Sequence, residues 1–231
     1  MSNEIKEKMI RHIIISRFLE EHRDYYDDYE LQAIKGFVER DDLAMIAKTD
    51  IVREIYDELG LLPEKVNLYT TFLNAIETQF GIEGKRICEV GGGILPRLGK
   101  RIHLKQTTGT IIVYDPRIGK DQKGNDRFVL KRKYFKETTP TEDIDLLVGL
   151  MPCKGAEPLL ENAFRNKKDF MLWLCEGGPH GDYFDFFESD EEWIDNTIYN
   201  AQRCVEEQHM GKLKIKVMPE LSEYPIIYNQ R

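Results

Sequence analysis

Apolar residues in the first eighty positions recur at helical spacing and nowhere alternate. Ile5, Met9, Ile13, Phe18 and Leu19 mark one stripe of an amphipathic helix. A second helix is expected from Tyr29 to Glu39. A third follows "TDIVREIYDELG", with Thr49 or Asp50 as N-cap and Gly60 as stop signal. A fourth opens at Pro63, a residue suited to the first helical turn, and places Val66, Tyr69, Phe72, Leu73 and Ile76 on one face.

Beyond Gly84 the period changes. Short apolar runs, "RICEV", "TIIVYD", "FVLKRKYF", "IDLLVGL" and "FMLWLCE", read as strands, several of them apolar on both faces as buried parallel strands are. Helical patterns lie between them at Pro96–Lys105, Glu157–Asn166 and Ser189–Gln208. The last opens with a capping box, Ser189 and Glu192, and ends before Gly211. The closing stretch "KLKIKVMPELSEYPIIYNQR" holds two strand-like runs with no helix between them, which predicts an antiparallel hairpin. The expected organisation is therefore α/β. An all-helical N-terminal cap over residues 1–83 precedes a Rossmann-like domain over 84–231, whose mostly parallel seven-stranded sheet closes with the hairpin.

Composition narrows the function classes. Of 231 residues, 41% are hydrophobic and 32% charged, the balance of an ordinary globular protein. A formal net charge of −8 disfavours a generic nucleic-acid surface. Two basic clusters, Arg97/Lys100/Arg101/Lys105 and Lys131/Arg132/Lys133/Lys136, are read as balancing neighbouring carboxylates. The run Ile13–Ile15 is too short for a membrane span or a leader core. Four scattered cysteines, with no CxxC pair, point to a reduced, cytoplasmic chain without a structural metal.

The stretch "RICEVGGGILPRLGKRIHLKQTTGTIIVYDPRI" carries the chemistry. Glycines between a buried strand and a helix let backbone approach a ligand. An acid at the tip of the next strand can accept hydrogen bonds from both hydroxyls of a ribose. Gly91 and Gly93, with Asp115 about 22 residues on, fit a nucleoside cradle. A dinucleotide fold expects a third small residue where this chain has Pro96, which weakens a nicotinamide reading.

The segment resembles motif I of the class I S-adenosylmethionine-dependent methyltransferases, where an acidic residue precedes a GxG turn, here "EVGGG" with Glu89, Gly91 and Gly93. "IIVYD" matches the strand whose acid holds the ribose in that family, and "DIDLLVGLMPC" looks like its strand four and motif IV loop. The family also ends in an antiparallel strand seven. The resemblance implies S-adenosylmethionine as cofactor. Glu89 would orient its methionine end, the Gly91–Gly92–Gly93 backbone would line it, and Asp115 with Pro116 would take the ribose. Gly149 and Leu150 would complete the set, and Phe135, Lys136 or Asp143 would contact the adenine.

For the acceptor, the loops after strands four and five are the places to look, since ligands sit at the carboxyl ends of strands. "GLMPC" departs from the Asn/Asp-Pro-Pro-aromatic signature of amino-group methyltransferases. Pro152-Cys153 resembles motif IV of the cytosine-5 enzymes, with Glu176 as a partner, but a buried structural cysteine is the plainer reading. In "CEGGPHGDYFDFFESDEEW", His180 is a candidate general base, with Asp182 and Tyr183 beside it. Catalytic candidates are thus His180, Cys153, Tyr183 and Asp182. The implied activity is methyl transfer to a small molecule, with the N-terminal helices as a lid or a homodimer surface. Aminocarboxypropyl transfer of the nicotianamine-synthase type, which also pairs a helical N-terminal part with this core, is the alternative. A non-catalytic scaffold is a second rival; an RNA methyltransferase and an NAD-binding oxidoreductase stand further back.

Overall fold

The computed structural model describes residues 3–21, 23, 28–40, 52, 55–56, 59, 61, 67–175, 189–219 and 221–231. The chain divides into two compact units, Met1–Leu68 and Tyr69–Arg231. In the first, α1 (Asn3–Glu21) and α2 (Asp28–Arg40) are joined where Lys8 Nζ donates to the Glu39 carbonyl at 3.1 Å. Ile15, Phe18 and Leu19 on α1 and Leu31, Ile34 and Val38 on α2 are buried. The face of α1 differs from the expected stripe, for Met9 and Ile13 are 51% and 66% exposed. Steps of four drift around a helix of 3.6 residues per turn, and the step of five from Ile13 to Phe18 crosses to another side. The Thr49, Asp50, Gly60, Pro63 and Val66 signals lie outside the described residues; Val52, Ile55 and Tyr56 are buried.

The second unit opens within α3 (Leu68–Phe80), which buries Tyr69, Phe72, Leu73 and Ile76 as its pattern predicts. The described residues then form a seven-stranded sheet. Strands β1 (Arg86–Val90), β2 (Thr110–Tyr114), β3 (Phe128–Lys131), β4 (Leu146–Leu150) and β5 (Asp169–Trp173) run parallel. Strand β7 (Ser222–Gln230) enters antiparallel between β5 and β6 (Lys212–Met218), giving the order β3-β2-β1-β4-β5-β7-β6. The predicted hairpin is therefore present, with its second strand inserted beside β5.

Helices α4 (Arg97–Lys105), α5 (Ala156–Arg165) and α6 (Asp190–Glu207) connect strands, as right-length crossovers between β1 and β2, β4 and β5, and β5 and β6. Ser189 caps α6, its side chain accepting from the Glu192 amide at 3.2 Å. The core beneath α5 and α6 joins Cys88, Val90, Ile112, Leu147, Phe170 and Leu172 to Leu159, Trp193 and Val205. Burying a side chain such as Phe170 or Leu172 contributes about 1.5–3 kcal/mol. These strands are covered on both faces, which is why their sequences are continuous apolar runs.

One departure from the sequence pattern has a local cause. The run to Phe135 ends as a strand at Lys131, where the Lys133 amide turns back onto the Lys131 carbonyl at 2.8 Å. Tyr134 and Phe135 thereby leave the sheet. At the other edge, β6 is exposed over most of its length, with Lys212, Lys214 and Lys216 all exposed and Ile215 and Val217 about half so.

A polar anchor fastens the inserted strand. Asn229 is fully buried; its Oδ1 accepts from the Phe170 amide at 2.8 Å, and its Nδ2 donates to Asp169 Oδ1 at 2.8 Å and the Met210 carbonyl at 3.2 Å. Leucine there would strand a buried N–H and a buried carbonyl. Asn229→Leu should lower unfolding free energy by about 3 kcal/mol, read as a lower urea midpoint.

Candidate functional site

The carboxyl ends of β1, β2 and β4 converge on one cleft, and the glycine turn after β1 forms its floor. Gly91 lies at φ +80°, and its amide donates to the Tyr114 carbonyl at 2.9 Å, extending the β1–β2 ladder by one bond. A Cβ on Gly91 would stand 2.6 Å from the Cβ of Pro152. Both the backbone angle and the space thus demand glycine. Gly93, at φ +73°, turns its own amide toward β2.

That amide meets Asp115. The carboxylate is 5% exposed; Oδ2 accepts from Gly93 N at 2.9 Å and Oδ1 from Arg117 N at 2.7 Å. The Arg117 guanidinium adds a looser ion pair, Nε to Oδ1 at 3.5 Å, from a largely exposed side chain. Two backbone amides thus hold the carboxylate in place of the water it lost, and each oxygen keeps a further acceptor site.

The cleft encloses about 290 Å³. Val90, Gly91 and Asp115 form its base, with Pro116 and Arg117 along one side. Tyr134 and Phe135 supply an aromatic wall, where Phe135 packs edge-on against Tyr114 with ring centroids 5.4 Å apart. The turn of Pro152, Cys153, Lys154 and Gly155, leading into α5, closes the far side. Gly155 is needed there, since a Cβ would reach 2.7 Å from Val90 Cγ1.

Glu89 lies on the α4 side of β1. Alternation along β1 turns it away from Cys88 and Val90, toward α4, and it does not line this cleft. Its Oε2 accepts from the Gly99 amide at 2.8 Å. A Cβ on Gly99 would sit 2.5 Å from that oxygen, so glycine in the middle of α4 lets the helix close on the strand. Gly99 thus does the packing that the dinucleotide pattern assigns to the position of Pro96. Burial pushes the Glu89 carboxyl up to about 8, and the nearby Asp115 charge adds to the rise; the Gly99 bond opposes it. Glu89 is a neutral acid holding a helix at neutral pH.

Of the other expected residues, Gly91, Asp115, Pro116, Phe135 and Cys153 come together at the cleft. Gly92, Gly93, Gly149 and Leu150 stand outside its lining. Gly92 backs onto Val113, and Gly149 packs beneath Pro152. Asp143 pairs with Arg86, the first residue of β1, at 3.2 Å, and so sits toward the opposite strand end. Lys136 does not line the cleft either. Glu176, His180, Asp182 and Tyr183 lie outside the described residues. Tyr134, Arg117 and Lys154 are lining residues the motifs did not mark. Their signal was position alone, each falling just past a strand end. Among the described residues no cluster of three or more His, Cys, Asp or Glu is placed to hold a metal ion.

The order of the sheet and the inserted β7 decide the fold class. The second unit is Rossmann-like, a mostly parallel seven-stranded sheet that closes with an antiparallel C-terminal hairpin. No protein-family model and no curated protein sequence matches the chain. Among solved structures it is similar to a protein of Methanococcus maripaludis regarded as an S-adenosyl-L-methionine-dependent methyltransferase, at 17% identity and TM-score 0.45, over 71% of this chain and 85% of that one. A variant of MtNAS solved with S-adenosylmethionine is 12% identical at TM-score 0.45, over 94% and 83%. Fibrillarin from Aeropyrum pernix, with natively bound S-adenosyl-L-methionine, is 15% identical at TM-score 0.40, over 63% and 66%.

Glu89 supplies a pH test of the glycine-turn support. Its folded pKa lies above the ordinary value, so the folded state holds a proton that the unfolded state gives up. The resulting stabilisation is full below about pH 4.5 and is lost as pH rises toward about 8. Glu89→Gln keeps an acceptor for Gly99 without the titration. The variant should gain urea resistance relative to wild type between pH 5 and pH 8.5. Gly91→Ala, forced to φ +80° against Pro152, should lose about 2 kcal/mol or more of stability in the same assay.

Proposed function

We propose that this chain binds S-adenosylmethionine in the cleft over β1 and β2 and transfers its methyl group to a small-molecule acceptor. The observation that carries this reading is Asp115. It is a buried carboxylate at the cleft base whose two oxygens are each fixed by one backbone amide. Each oxygen retains an acceptor site, which is what a pair of ribose hydroxyls needs. The rest of the lining fits a nucleoside. Tyr134 and Phe135 offer flat apolar surface for a purine, Pro116 faces the cleft beside the acid, and Gly91 leaves room for close backbone approach.

S-adenosylmethionine, when bound, would supply an electrophilic methyl on a sulfonium, open to in-line attack by the acceptor's nucleophile with the thioether as leaving group. The chain's own work is mostly positional: Asp115 fixes the ribose and the glycine turn sets the depth of entry, so the reacting centre is held in register. The apolar wall keeps water from the nucleoside. His180, Asp182 and Tyr183, after β5, are the residues proposed for the acceptor, with His180 to take its proton. An overall charge of −8 suits a small acceptor better than a polyanion. The helical unit ahead of the core favours one second reading, transfer of the aminocarboxypropyl group from the same cofactor.

Calorimetric titration tests the binding. Wild type should bind S-adenosylmethionine and S-adenosylhomocysteine, and Asp115→Ala should lose about 100-fold in affinity, roughly 2.7 kcal/mol. NAD should give no heat. Binding of NAD alone would favour an oxidoreductase, and silence from all three a scaffold. In turnover with acceptor, S-adenosylhomocysteine as product supports methyl transfer and methylthioadenosine the aminocarboxypropyl reaction.

A further inference from the structure

Two of the four thiols meet at the ends of adjacent parallel strands. Cys153 begins the 3-10 turn after β4, is half-buried and lines the cleft. Cys175, just past the end of β5, is buried. Their sulfurs are 3.6 Å apart, in contact but not bonded. A disulfide needs about 2.05 Å, an approach of about 1.5 Å. The other two thiols are placed differently. Cys88 lies in the core, where burial pushes its thiol far above the ordinary range, and Cys204 is on α6, its thiol also raised by burial.

The backbone at the pair is unusual. Met151 and Cys153 have φ of +50° and +44°, angles that residues with side chains rarely adopt. The Cys153 thiol also lies 3.6 Å from the Met151 carbonyl, to which it donates. Pro152, between them, is packed on Gly91 with no room for even a methyl group. Any pull on Cys153 is therefore passed by Pro152 to the glycine turn.

We propose that Cys153 and Cys175 are a dithiol that hydrogen peroxide oxidises to a disulfide in the wall of the cleft, and that the disulfide weakens nucleoside binding there. Cys153, the accessible partner, attacks one peroxide oxygen as thiolate. The O–O bond breaks and hydroxide leaves, taking the proton that the Cys153 thiol gave up to become water. The Cys175 sulfur then displaces the hydroxyl from the Cys153 sulfenic acid, forming S–S and breaking S–O. That hydroxyl leaves as a second water with the Cys175 proton. Two thiols lose two electrons and one peroxide gains them.

The test maps cysteines in the full chain after stepwise hydrogen peroxide. A Cys153–Cys175 cross-link is expected by peptide mass spectrometry, reversed by dithiothreitol, with Cys88 and Cys204 still alkylatable after denaturation. Cys175→Ser should give no cross-link and a dimedone adduct at Cys153. Sulfinic acid at Cys153 of wild type without a cross-link, or a cross-link to Cys204 instead, overturns the site. The binding effect rests on the reading under Proposed function. S-adenosylhomocysteine should bind the oxidised form at least tenfold more weakly than the reduced form, with recovery on reduction, and equal affinities overturn the coupling. No binding by the reduced form counts against the nucleoside reading, while the mapping still decides the dithiol.

Discussion

A carboxylate can be buried at a strand end only if other donors replace the water it gives up. Asp115 meets this condition through two backbone amides, one from its own strand end and one from Gly93. The second comes from a different loop, and so the requirement spreads. Gly93 must hold a left-handed angle to turn its amide, and Gly91 must hold another to bring the turn past Pro152. Pro152 in turn rests over Gly149 in β4. The ends of three strands are thereby fixed to one another by a single charge.

Glu89 completes the arrangement on the other face of β1. Its carboxyl stands near Asp115, and two ionised groups so close and so buried would repel. Keeping Glu89 protonated removes one charge, while leaving an oxygen to accept the Gly99 amide and bring α4 against the strand. Two acids on adjacent strands thus do unlike things. One faces the cleft, and the other, neutral, fastens the helix that follows the glycine turn.

Much of this layout was legible in the sequence. The runs at β1, β2, β4 and β5 are continuous because both faces are covered, and continuity is what a single sequence displays best. The capping residues of α6 were equally plain. What escaped either left no hydrophobic signature or depended on distant partners. β3 ends early because Lys133 turns back on Lys131, a local bond with no hydrophobic signature. The Glu89–Gly99 bond, which strand alternation and the missing Cβ of Gly99 allow, has no mark in the sequence. Asn229 is an ordinary polar residue in sequence; only the packing of β5, β7 and the chain before β6 makes it a three-bond anchor. Asn162 is another case. Fully buried on α5, it bonds Thr141 at 2.7 Å and the carbonyls of Glu137 and Thr139, partners more than twenty positions away.

Among the described residues, the insertion of β7 leaves β6 at the border of the sheet, with its outer side paired to no strand. Such a border is a template on which a strand from another molecule could continue the ladder. Here three alternate residues of the strand, Lys212, Lys214 and Lys216, are exposed lysines. Two copies meeting border to border would set one row of ammonium groups beside another, in the spacing where like charges repel most. The lysine row acts as a selvedge, finishing the woven sheet so that a second one does not run on from it.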